Sequence, residues 1–190
     1  MKSSLRNTLY GTLVLFCVGF AAFIFINGKS KSPLPELRAR TGVLADAPEW
    51  ATTQATVAKL TAELSAKPND AKTVLSLAKE FMQEGRVTGD FSYYNKAALD
   101  LVNKVLAKDS RNFEAICLKA MVYLSQHRFA EGKEVAEQGR AQNPYNSFIY
   151  GLLVDANVEM GDYPAAVEMC DKMVGIRPDI RSYSRVSYLR

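Results

Sequence analysis

The residues able to do chemistry are few and scattered. His127 is the only histidine among 190 residues, so Ser-His-Asp, Cys-His and histidine-based metal sites have no second imidazole to draw on. Cys17, Cys117 and Cys170 show no CxxC spacing, and their odd number and offsets suit small packing side chains better than a disulfide staple. Carboxylate pairs such as Glu131 and Glu134 have the spacing of a solvated helix face. There is no GxSxG, GxGxxG or GxxxxGK stretch to hold a nucleophile or cradle a phosphate. The expectation is a protein without catalysis, cofactor, metal ion or small-molecule substrate.

Charge narrows the classes further. Residues 1–40 hold six Lys or Arg against one Glu, residues 177–190 hold four Arg against one Asp, and the body between holds 14 basic and 18 acidic residues. A nucleic-acid surface wants clustered Lys and Arg with stacking aromatics, and the acidic body lacks it. The charge pattern predicts no nucleic acid as partner.

The elements that position these residues follow from periodicity. Ser147 to Asp179 reads as two short amphipathic helices with a turn at Met160-Gly161-Asp162-Tyr163 and a stop at Pro178. Shifted back by 34 residues, Tyr163 falls on Phe129, Ala166 on Gly132, Val154 on Ala120 and Pro178 on Pro144. A fixed period of that length marks an array of helix pairs, each of which buries its apolar face only by stacking on its neighbours.

Gly161, Tyr163, Ala166 and Pro178 together resemble the tetratricopeptide repeat, and Ala120, Tyr123, Phe129 and Pro144 carry the resemblance back one period, with His127 in place of the turn glycine and Gly132 in place of the alanine. The resemblance implies an all-α fold, an α-solenoid of antiparallel helix pairs wound as a right-handed superhelix. It also implies that the first helix of each pair lines a concave groove for a peptide or protein partner. Carried onto this sequence, the groove positions include Lys72, Leu75, Lys79 and Met82, then Cys117, Met121 and Leu124, then Phe148, Asp155 and Val158. The basic, asparagine-rich clamp with which some members hold a C-terminal carboxylate is matched only at Lys72 and Lys79, and Asp155 opposes it.

In chain order, residues 1–7 form a short basic tail. Residues 8–26 are 19 uncharged residues, long enough as a helix to cross about 30 Å of hydrocarbon. A cleaved signal would have an apolar stretch of about 7–15 residues and a small-x-small cleavage site; here Ala21-Ala22 is followed by Phe23-Ile24-Phe25-Ile26. The reading is an uncleaved transmembrane anchor. Flanking charges lean towards a cytoplasmic domain, whereas a short basic tail before one long apolar helix is the pattern of a bacterial signal anchor and leans towards an extracytoplasmic, periplasmic one; the second is favoured.

Residues 27–47, with Pro33 and Pro35 and no apolar period, read as a linker. The repeat domain is expected over 48–180: a capping helix at 48–68, repeat 1 at 71–112 with an insertion at 86–94, repeat 2 at 113–146 and repeat 3 at 147–180. The aromatic insertion either forms a contact loop or extends the second helix backwards so that Phe91 and Tyr94 pack. Residues 181–190 begin a fourth period that reads as truncated. The expected role is a membrane-anchored interaction scaffold; the alternative is an assembly subunit whose repeats pack on further repeats or on another copy.

Overall fold

The computed structural model describes residues 34–189, and among these the repeat unit begins at Glu36. The apolar run 8–26 lies outside the described residues. Within them no helix is long and apolar enough to cross a membrane, and eight α-helices follow a short 3-10 turn at Gly42–Leu44 without any strand.

Helix α1 (Pro48–Ala66) opens on a proline, whose fixed φ suits a first helical turn, and stops short of Pro68. Antiparallel pairs follow: α2 (Ala71–Thr88) with α3 (Phe91–Leu106), α4 (Phe113–Ser125) with α5 (Phe129–Gln142), and α6 (Ser147–Glu159) with α7 (Tyr163–Ile176). Helix α8 (Ile180–Leu189) packs on both α7 and α6. Most starts are fixed by a short polar side chain that accepts from free first-turn amides. Asp70 serves α2, Asp90 α3, Asn112 α4, Asn146 α6 and Asp162 α7.

The turn inside each pair needs a left-handed residue. Gly89 and Gly161 supply it at φ 75° and 77°, whereas His127 adopts φ 57° with a Cβ, at a steric cost that glycine avoids. The turn of repeat 1 therefore sits at Gly89. Residues 86–94 form no insertion loop: α2 runs 18 residues where α4 and α6 run 13, and Phe91 already belongs to α3. Gly85 lies inside α2, where an added Cβ would come within 3.2 Å of Tyr94 Cβ, so it serves close approach of the two helices.

Small residues set the helix spacing elsewhere. Ala98, Ala120, Ala136 and Ala166 are fully buried at the crossings. Gly132 stands where repeat 3 has Ala166, and the reason is its neighbour: a Cβ there would sit 2.8 Å from Leu124 Cδ2. Repeat 3 has the smaller Val158 at the position of Leu124 and tolerates the alanine. The two substitutions offset each other at close to constant volume.

Candidate functional site: the first-helix face and the docked strap

The first helices of successive pairs meet one another, α2 with α4, α4 with α6 and α6 with α8, and this face carries the groove positions. Its residues divide into three kinds. Leu75, Met82 and Cys117 are 1%, 5% and 5% exposed; the array itself covers them, which corrects their expected place among the partner-facing groove positions. Met121, Leu124 and Val158 are half-buried and pack against the core. Phe148 is the apolar groove position that stays open, 36% exposed at the start of α6.

The charged positions are mostly paired. Lys79 on α2 bonds Glu114 on α4. Asp155 on α6 accepts from Arg185 on α8 in a two-bond fork, Nε to Oδ1 at 2.8 Å and Nη2 to Oδ2 at 2.6 Å. These hydrogen bonds hold the Arg185 guanidinium above its ordinary pKa. Lys72 is exposed with no ion pair among the described residues. Burial, reinforced by Glu114, pushes the Cys117 thiol up to about 12, so it stays protonated and is a poor nucleophile at neutral pH. Among the described residues no cluster of His, Cys, Asp and Glu could hold a metal ion.

A second feature was not legible as a site. Residues 36–47, expected as part of a linker, form a strap docked on the long α2–α3 hairpin. Arg40 is its fastener. Its guanidinium gives Nε and Nη2 to the two oxygens of Glu84 at 2.7 and 2.8 Å, gives Nη1 to Glu49 at 2.9 Å, and lies 4.7 Å from the Trp50 ring centre. The side chains of Arg40 and Glu84 are each 1% exposed. The Glu84 bond is the main influence holding the Arg40 pKa above its ordinary value.

Upstream, the Arg38 guanidinium pairs with Asp90 at 2.7 Å and stacks 3.7 Å over Tyr93. The Arg38 amide donates to the Tyr94 hydroxyl at 3.1 Å, while Tyr93 and Glu36 exchange two bonds, hydroxyl to carbonyl at 2.7 Å and amide to hydroxyl at 3.2 Å. The extra residues of repeat 1, aromatic in just these positions, are the seat of the strap. One signal was present in the sequence: Glu84 falls three residues after Phe81 and seven after Leu77, on the apolar stripe of α2, where a carboxylate requires a buried cation.

Neither a family model nor a curated protein matches the chain. Solved structures do. MamA aligns at 19% identity with a TM-score of 0.60 over 79% of this chain and 84% of that one. The first tetratricopeptide domain of human RPAP3 aligns at 15% with a TM-score of 0.57, over 64% and 91%. The corresponding domain of Spaghetti, bound to the HSP90 peptide SRMEEVD, aligns at 14% with a TM-score of 0.55, over 63% and 89%. The fold is that of a tetratricopeptide-repeat array. These identities speak for the architecture alone.

Proposed function

We propose that this chain is an interaction scaffold that holds a protein or peptide partner at a membrane. The observation that carries the reading is the exposed Phe148 on the first-helix face, beside polar positions that are mostly tied to one another. An open aromatic on a face whose other groove positions are mostly buried or paired is the makings of a binding anchor. The likeness to a domain solved with a bound peptide supports the same use of the fold. The apolar run 8–26 supplies the membrane attachment, with the repeats on the extracytoplasmic side. The work is association, with no bond made or broken.

A second reading has its own observation. Ile180, Tyr183 and Tyr188 on α8 are 82%, 54% and 55% exposed, which favours an assembly subunit whose last helix packs on further repeats or on another copy. The two readings separate by experiment. Membranes carrying the full chain are washed with carbonate, solubilised and used to capture partners. The scaffold reading expects the uncut chain in the pellet, access of external protease to the repeats, and capture of a different protein that Phe148→Glu abolishes. Capture of the same chain alone would favour assembly, and a soluble species starting after about residue 26 would remove the anchor.

A further inference from the structure

An open cleft lies not on the middle of the first-helix face but at its last junction. It lies where α6 begins, α7 ends and α8 begins, has a volume of about 300 Å³, and is lined by Tyr145, Phe148, Met173 and Ile176 with Arg177 and Arg181 beside them. Its walls are mixed and open: Asn146 and Ser147 stand among the apolar side chains, and Tyr145 is 84% exposed, Ile176 37% and Phe148 36%. That volume is at the small end of ligand sites and suits one or two side chains of a larger molecule.

The electrostatics select the partner. Asp179 is the only carboxylate among the lining residues, and it is already committed. Its Oδ1 accepts from the Arg181 and Ser182 amides at 3.0 and 3.1 Å, and its Oδ2 meets Arg177 Nε at 3.2 Å. The Arg181 side chain has no ion pair among the described residues, and the Arg177 side chain remains 71% exposed. The cleft also takes in the N-terminal ends of α6 and α8 against the C-terminal end of α7, so helix dipoles add to the positive side. A mixed cleft that offers open Tyr145, Phe148 and Ile176 beside the unpaired Arg181 guanidinium accepts an apolar side chain flanked by carboxylates and repels one flanked by lysines.

We propose that this junction cleft binds an acidic peptide segment through one apolar side chain seated among Tyr145, Phe148 and Ile176, with its flanking carboxylates on Arg177 and Arg181. The proposal rests on the scaffold reading and names the partner's chemistry and its place on the array. It places the contact at the border of repeat 3 and α8 rather than along Lys72, Lys79 and Met121.

The test uses the full chain in detergent micelles and three labelled synthetic peptides, read by fluorescence anisotropy: phenylalanine between glutamates, phenylalanine between lysines, and alanine between glutamates. Only the first is expected to bind, and more weakly as salt rises. Arg181→Glu should lower its affinity by about tenfold and bring in the lysine peptide, and Phe148→Ala should lower it by a similar factor. Arg181→Gln, which removes the charge without reversing it, keeps the test valid if the reversed variant loses helicity. Equal binding of the glutamate and lysine peptides, equal binding of the alanine peptide, no binding of the first, or indifference to both Arg181 variants would each overturn the proposal. Binding lost with Lys72→Glu and kept with Arg181→Glu would refute the cleft and leave the scaffold standing. Membrane capture that ignores Phe148→Glu would refute the scaffold reading itself.

Discussion

Replacing Glu84 by Gln tests whether the strap is held as the geometry requires. In the parent, Arg40 and Glu84 are buried together, and breaking such a pair by removing one partner costs about 3–5 kcal/mol because a charge is left without its counterion. The protein has a cheaper escape. The strap can lift off, returning Arg40 to water and giving up its three bonds between strap backbone and the Tyr93 and Tyr94 hydroxyls, each worth about 0.5–1.5 kcal/mol net. The loss is therefore capped by the docking energy of residues 36–47, and the core of α2–α7 should survive.

The expected outcome is local. Hydrogen exchange of the amides of residues 36–42 should accelerate by about a hundredfold, on the order of 3 kcal/mol of lost docking, and trypsin should cut at Arg38 and Arg40 in the otherwise folded chain. Helicity should change little. Arg40→Met combined with Glu84→Leu should recover most of the protection, since an apolar pair of similar volume can replace a buried ion pair. Unchanged exchange in Glu84→Gln would refute the reasoning, and so would a double variant no better protected than the single one.

Three further outcomes follow from burial. Cys117, with its thiol held near 12 against an ordinary 9.0, has a thiolate fraction roughly a thousandfold below that of a free cysteine at pH 8. Iodoacetamide should modify the peptide carrying it only after urea unfolding, as read by mass spectrometry. Ala120→Leu, at a fully buried crossing, should lower stability by about 1–3 kcal/mol in chemical denaturation, and equal stability would mean the helix pair does not touch there. Met121→Glu and Phe148→Glu should differ: the half-buried Met121 packs on the core and loses melting temperature when charged, whereas the open Phe148 stays within about 0.5 kcal/mol of the parent and loses only partner capture.

The array was legible because stacking forces the same side of every helix pair to repeat. Ala120 and Val154, Gly132 and Ala166, and Phe129 and Tyr163 stand 34 residues apart, and each pair occupies one place in the packing. What escaped the sequence has no period. The strap joins Arg40 to Glu84 across 44 residues, through polar contacts that leave no apolar spacing to read, in a segment whose prolines suggest a linker. The groove assignments failed at Leu75, Met82 and Cys117 for a related reason. Family positions say which way a side chain points, but exposure depends on how closely the next helix stands, and here the neighbours close over them. The surface left for a partner is thus decided where repetition breaks down. At the end of repeat 3, Tyr145 in the turn and Phe148 at the start of α6 stay open beside Arg177 and Arg181, where Asp179 is the carboxylate among the lining residues and already meets Arg177.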